Sequence, residues 1–401
     1  MIPLELDLIE PLGRLTARPW AAQVTGMKID SRLIEEGDLF VAVGGGSDFV
    51  AHALARGAGA ALVPEEPHAA LAAIGGAVRD RSSARVVGIT GATGKTTTKD
   101  ILAAVCSPHL RTVASWGNHN NELGVPLTLC RLEPDTELAI VEMGMRGLGQ
   151  IAWLASFTRP EIGLITNIAP VHLELVGTVE NVARAKAELI EALPPGGTAV
   201  VPDEPLLEPY LTRTDIEIRR FGDGELSLQA NFAAPHQLRN AQAAMTVCEV
   251  LGVPLPDVID VEFSALREEV IELPDGTLLL NDCYNANPAS MQAALEHLAI
   301  LAGERRKVAV LGGMAELGDD TPAYHRAVGG ELGRQGVALL VAVGSLARHY
   351  TETADGVETV EVGSAAEAAD VLGRLLRPGD VVLVKGSRSV GLEAVAAKLH
   401  A

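Results

Sequence analysis

The sequence predicts an α/β fold in three domains, and three observations carry that prediction. At 401 residues the chain exceeds one ordinary domain. From residue 85 onward, short apolar runs alternate with stretches of helical periodicity, the pattern of strands joined by helical crossovers in parallel sheets. The pattern breaks near residue 83, where Pro67, paired glycines and Ser82-Ser83 close a first unit, and it begins afresh near residue 264. The expected domains are a small α/β N-terminal domain (1–83), a central parallel-sheet domain (84–263) and a C-terminal doubly wound, Rossmann-like domain (264–401).

In the first domain LFVAV (39–43) reads as a strand, followed by a glycine-rich turn, a short helix through Ala53 and a strand at Ala60–Val63. The central domain opens with the apolar strand RVVGIT, a glycine loop and a helix from Thr96. Strands follow around Arg111–Ser115, at LAIVEM (138–143) and at EIGLIT (161–166), then a helix over Thr178–Leu193. The third domain reads as strands TLLLND (277–282), KVAVLG (307–312), ALLVAV (338–343) and DVVLV (380–384), with helices from Pro288, around Tyr324–Leu332 and from Ser364. In such sheets ligands bind beyond the C-terminal ends of the strands.

Composition removes several classes of function. Thirty-two Lys and Arg against 52 Asp and Glu give a formal net charge of −20, which repels a phosphodiester backbone. Only 3% of residues are aromatic, too few to spare stacking platforms, so nucleic acid is not an expected partner. The four cysteines form no C-x-x-C pair, which fits a reducing compartment. Glu5, Asp7 and Glu10 stand where a secretory leader would be basic and then apolar, and no run approaches the ~18 apolar residues of a membrane span. A cytoplasmic monomer without membrane insertion is expected.

The strongest local signal is Thr90-Gly91-Ala92-Thr93-Gly94-Lys95-Thr96-Thr97-Thr98, set between an apolar strand and a helix. Glycines let backbone N–H groups approach phosphates, the helix N-terminus adds positive potential, Lys95 supplies a point charge and the Thr96 hydroxyl can ligate Mg²⁺. Ile89 stands where a strict Walker motif has glycine, so the loop is a shortened variant. Glu142 ends the strand LAIVEM and His172 follows EIGLIT, both at the sheet edge from which the loop emerges; a carboxylate there could hold Mg²⁺. Lys186 falls in the apolar stripe of Val182, Leu189, Ile190 and Leu193. Two accounts of it stand side by side: a snorkelling stem with its ammonium in water, or a buried amine of lowered pKa open to covalent or metal-linked chemistry. Asn118, Asn120 and Asn121 crowd a loop with His119, and Asp282, Tyr284, Asn285 and Asn287 crowd another; these are ligand amides or turn formers.

Together these residues resemble the Mur ligase family. TGATGKTTTK is similar to that family's ATP loop, GNHNNELGVPLTL to its amide loop, and TNIAPVHLELVGTVENVARAKAELI to its metal-and-lysine segment. NDCYNANPASMQAAL, GGMAELGDD and LVKGSR resemble the D-alanyl-D-alanine-adding branch. The similarity runs from Asp30-Ser31-Arg32 to beyond Arg388. It implies an ATP-dependent amide ligase acting on UDP-N-acetylmuramoyl-tripeptide and D-alanyl-D-alanine. Gly91 to Thr97 would hold the ATP phosphates, Asn240 the adenine, and Arg267 and Asp282 phosphate and ribose. Thr96 and Glu142 would bind one Mg²⁺, and His172 a second together with Lys186, carbamylated by CO₂. Lys95, Glu142, His172 and Lys186 are the implied catalytic set. Ser31 and Arg32 would meet the UDP moiety. Asn118, Asn120, Asn121, Tyr284, Asn285, Asn287, Lys385 and Arg388 would contact the other substrates, Arg388 anchoring the dipeptide carboxylate.

The chain departs from the family pattern in an abbreviated GGGSDFVAHAL loop, in Leu266 where glycine usually precedes the arginine, and in Pro235 before His236. The alternatives are the sister ligase that adds the third amino acid, whose Asp-Asn-Pro-Arg motif is not found, and a regulatory P-loop NTPase.

Overall fold

The computed structural model describes residues 1–117, 119–222 and 229–400. Three α/β sheets follow one another along the chain. The first has four strands in the order Gly13–Ala17, Ala60–Pro64, Asp38–Val41, Gly26–Lys28, antiparallel at the first pair and parallel at the others. Its expected strands and short helix are present, the helix spanning Val50–Ala55.

The stretch read as a closing segment before residue 83 is a helix, Pro67–Arg81. Pro67 sits in its first turn, where a missing N–H costs nothing. The paired glycines are contact points rather than breakers: a Cβ on Gly75 would lie 3.0 Å from the Cα of Pro126, and one on Gly76 would lie 3.4 Å from the Cβ of Phe157. The bare backbone therefore lets this helix press against the central sheet's own helices, Gly124–Leu129 and Gln150–Thr158. One apolar core runs through the contact, with Leu39, Leu62, Leu71 and Ile74 on one side and Val125, Leu129 and Leu154 on the other.

The central sheet has six strands, all pairs parallel, in the order Glu217–Phe221, Thr198–Pro202, Ile162–Ile165, Arg85–Thr90, Leu138–Glu142, Thr112–Ala114. Strand Arg85–Thr90 is the point from which the chain first winds one way and then the other, so the loops leaving it and its two neighbours converge. The two strands beyond Ile162–Ile165 were not anticipated from the sequence. Neither was helix Pro235–Leu251, which packs on helix Lys95–Cys106 through small residues, Ala241, Ala244 and Cys248 against Leu102, Val105 and Cys106.

The third sheet runs Glu269–Glu272, Leu278–Asp282, Val381–Lys385, Lys307–Gly312, Val337–Val343, Glu358–Val362. The last five are parallel, as doubly winding requires, but Glu269–Glu272 pairs antiparallel with its neighbour and makes the sheet mixed. That edge strand is short, largely exposed and charged, so it offers little periodicity to read. The four cysteines are buried and free. No helix of the described residues is long and apolar enough to cross a membrane.

The glycine contact yields a test. Gly75→Val drives a branched side chain into the Pro126 backbone and is expected to destabilise the chain by about 1–3 kcal/mol, seen as a lowered midpoint in denaturant unfolding.

Candidate active site

The loop after strand Arg85–Thr90 turns on two glycines with left-handed backbone, Gly91 at φ +152° and Gly94 at φ +75°. Space forbids a side chain at either one: a Cβ on Gly91 would fall 1.8 Å from Thr166 Oγ1, and one on Gly94 would fall 2.4 Å from Asn240 Oδ1. Helix Lys95–Cys106 starts directly after Gly94, so its unpaired N–H groups face the loop. Lys95 Nζ donates to the Gly91 carbonyl at 2.8 Å, curling the side chain back over the loop. Burial pushes its pKa down, against the opposing pull of Glu142.

Two residues that the motif does not include brace this loop from the neighbouring strand Ile162–Ile165. Asn167 Oδ1 accepts from the Ala92 and Thr93 N–H groups at 3.0 and 2.9 Å, and Thr166 Oγ1 donates to the Thr93 carbonyl. Both lie in the segment that also carries His172, and no spacing rule singles them out.

Glu142 is fully buried at the end of its strand. Thr96 Oγ1 donates to Glu142 Oε2 at 2.8 Å, Asn120 Nδ2 donates to Oε1 at 2.7 Å, and the Glu142 N–H donates to Ser115 Oγ at 3.0 Å. The first loop, the strand end and the amide loop thus meet at one carboxylate.

Lys186 is 2% exposed, on helix Val179–Glu191. Its side chain is buried and its amine borders the cavity described below, not the outer surface that the snorkelling account requires. Burial first, and then repulsion from Lys95, push its pKa well below the ordinary lysine value. Among the described residues no hydrogen bond or ion pair engages its amine. His172, at φ +53°, turns its Nδ1 onto Glu316 Oε2 from the third sheet's domain. Burial lowers the His172 pKa while Glu316 works against that shift. Glu316 lies in GGMAELGDD and was not singled out by the sequence; it also stands 3.7 Å from Arg146.

The opposite wall comes from the C-terminal domain. Leu266 and Glu268 both have left-handed backbone, φ +63° and +54°, so Leu266 adopts the conformation that a glycine there would take without strain. The turn sets the Arg267 guanidinium 4.2 Å from the centre of the Tyr284 ring. Parallel register puts Asp282 opposite Lys385, and the two form an ion pair. Lys385 is 2% exposed and also donates to the Asn285 carbonyl at 3.1 Å. Burial raises the Asp282 pKa, opposed by Lys385.

All of these elements line one cavity of about 730 Å³, including Gly91 to Thr97, Asn120, Asn121, His172, Lys186, Asn240, Arg267, Asp282, Tyr284, Asn285, Asn287 and Lys385. Comparison with known proteins agrees along the whole chain. Family models described as Mur ligase middle domain and Mur ligase, glutamate ligase domain match residues 89–225 and 266–388. The UDP-N-acetylmuramoyl-tripeptide--D-alanyl-D-alanine ligase of Synechocystis sp. is 36% identical, covering 94% of this chain and 92% of that one. The enzyme of the same name from Escherichia coli is 34% identical, with 92% of each covered. The chain belongs to the Mur ligase family. Among solved structures, MurF from Acinetobacter baumannii superposes with a TM-score of 0.87 at 28% identity, covering 99% of both chains. MurF ligase from Thermotoga maritima in complex with ADP gives 0.82 at 27% identity, covering 94% of this chain and 97% of that one.

In this Mur ligase several of the expected contact residues have partners within the protein or lie off the cavity wall. Lys385 is engaged by Asp282 and is not a free anchor for a carboxylate. Arg388 is exposed, lies 3.5 Å from Glu393 and is not part of the cavity wall. Asn121 Oδ1 accepts from the Leu123 and Gly124 N–H groups, and Asn287 caps helix Pro288–Ala302 through Ser290, so both act as turn and cap formers at the cavity rim. Ser31 and Arg32 belong to the first sheet's domain, away from the cavity wall: Ser31 Oγ is 2.9 Å from His52 Nδ1, and Arg32 is exposed and paired with Asp30. Asn118 lies outside the described residues.

Because Lys385 holds a nearly buried carboxylate, Lys385→Met should cost about 3 kcal/mol of stability at neutral pH, measured by denaturant midpoint. Loss of the lysine raises the Asp282 pKa further, and a protonated carboxyl needs no partner, so the penalty should shrink as pH falls.

Proposed function

We propose that this Mur ligase joins D-alanyl-D-alanine to the terminal carboxylate of UDP-N-acetylmuramoyl-tripeptide at the expense of ATP, in the synthesis of peptidoglycan precursors. The observation that carries the reading is the cavity in which a phosphate loop and a buried lysine of the central domain, with Thr96 and Asn120 held by the buried Glu142 carboxylate behind them, face Arg267 and Asp282 of the C-terminal domain. Full-length similarity to ligases of that name supports the choice of substrates. We take 1–83, 84–263 and 264–401 as the three domains, with the first receiving the UDP moiety near Ser31 and Arg32.

The loop N–H groups, the helix N-terminus and Lys95 hold the ATP phosphates, and Asn240, packed against Gly94, extends that contact toward the adenosine. Arg267 and Asp282 reach the nucleotide from the other side. The donors present fit the two Mg²⁺ ions implied by the family. Thr96 and Glu142 offer hard oxygen ligands 2.8 Å apart, and His172 with a carbamylated Lys186 would offer the second set. CO₂ reacts with a neutral amine, and burial that lowers the Lys186 pKa favours that form, which supports the carbamate. Bound there, the metals would neutralise charge on the transferring phosphoryl group.

The substrate carboxylate oxygen attacks the γ-phosphorus, the bond to ADP breaks, and an acyl phosphate forms. The dipeptide amine then attacks the acyl carbon, loses its proton, and phosphate departs as the amide forms. Enclosure between two domains excludes water from the acyl phosphate. Tyr284 and Asn285 border the space left for the dipeptide. We take the cytoplasm, where ATP is made, as the compartment and a monomer as the working form.

The deciding experiment offers the purified chain ATP with UDP-tripeptide and D-alanyl-D-alanine, and separately with UDP-dipeptide and single amino acids. Amide product in the first reaction alone is expected; product only in the second would identify the sister ligase, and ATP hydrolysis without amide a regulatory NTPase. Lys95→Ala should lower turnover by about 10²–10³-fold with the fold intact by circular dichroism. Lys186→Ala should be nearly inactive and partly restored by short carboxylic acids; full activity in that variant would remove the carbamate from the scheme.

A further inference from the structure

A second constellation lies at the junction of the central and C-terminal domains. His236 sits in the first turn of helix Pro235–Leu251, Glu268 precedes the edge strand Glu269–Glu272, and His297 lies on helix Pro288–Ala302. Their ligand atoms all fall within 4.8 Å of one another. His236 Nε2 is 2.9 Å from a Glu268 oxygen, and the two imidazole rings are 5.9 Å apart, centre to centre. The Nδ1 atoms of both His236 and His297 are buried with no hydrogen-bond partner among the described residues. Glu268 Oε2 is likewise buried without a hydrogen bond, and unpaired buried atoms of this kind carry a desolvation cost that a cation held among the three side chains would offset in part.

We propose that His236, Glu268 and His297 form a binding site for a zinc-class divalent cation, one that fastens the central domain to the C-terminal domain beside the cavity. Two imidazoles and a carboxylate are the donor set of zinc and its transition-metal neighbours, whereas Mg²⁺ favours oxygen ligands and octahedral geometry. Burial keeps His297 neutral, the form that ligates. Burial also pushes the Glu268 carboxyl up, but the contact with His236 and the nearby positive charge of Lys385 pull the other way, so its pKa lies below the ordinary value. Three protein ligands leave a fourth position open, and His236 and Glu268 both line the cavity, so that position faces its interior. A tetrahedral site with bonds of 2.0–2.1 Å has ligands about 3.3 Å apart. Occupancy therefore draws the three side chains inward from their 4.8 Å spread, pulling the helix of one domain toward that of the other.

The test uses the full chain, stripped of metal by chelation and without nucleotide, titrated with Co²⁺ as a spectroscopic stand-in for Zn²⁺. One equivalent should produce the visible absorption bands of low-coordinate cobalt with imidazole ligands. His297→Asn and His236→Asn should abolish the bands, and His172→Asn, altered at the phosphate-loop site, should keep them. Zn²⁺ competition against a chromophoric chelator should show at least about tenfold weaker binding in His297→Asn. That variant should fold normally by circular dichroism and retain basal ligation, since His297 is no part of the catalytic set. Absence of bands in the parent chain, bands that survive in His297→Asn, or bands lost only in His172→Asn would each overturn the proposal and leave the trio as an ion pair between domains.

Discussion

Glu142 has no access to water, so every lone pair on its carboxylate must find a donor within the protein or a ligand. It finds Thr96 from the phosphate-loop helix and Asn120 from the amide loop, while its own N–H holds Ser115. Those groups come from two chain segments that parallel pairing brings to the same end of the sheet as Glu142. The arrangement of the cavity floor follows from satisfying this one buried group.

The phosphate loop depends on that floor and on a second brace. Its glycines adopt conformations that the chain could hold only at some cost, and Asn167 and Thr166 keep them in place from the next strand. The result is a preformed cradle rather than a loop that must order around its ligand, which lowers the entropic cost of binding phosphates. Lys186 belongs to the same design. A helix well packed at Val182, Leu189 and Ile190 carries the lysine into the interior, and proximity to Lys95 adds to burial in disfavouring its charged form.

The facing wall is held by different means. Two consecutive departures from right-handed backbone, at Leu266 and Glu268, aim Arg267 over Tyr284 just as the chain enters the third sheet. Register between two parallel strands then sets Asp282 against Lys385. His172 to Glu316 and His236 to Glu268 cross between the domains, so the central and C-terminal units touch through titratable side chains as well as through backbone. Such contacts are polar and local, as contacts between domains of one chain commonly are.

The sequence by itself determined the fold class, the alternation of strands and helices, and the phosphate loop, because each is written in contiguous residues whose spacing has a direct geometric meaning. It also placed Lys186 in a buried stripe, since helical periodicity is a local property. It misread Pro67–Arg81 as a closing segment, because paired glycines signal a break unless a neighbouring backbone needs the space they leave, as Pro126 does. The tertiary structure alone decided that Lys385 is spent on Asp282 and that Arg388 lies outside the cavity wall. It alone brought Asn167, Thr166 and Glu316 to the site and set His236 beside His297. Such pairings join residues tens to more than a hundred positions apart, and only strand order, register and domain contact determine which of them meet.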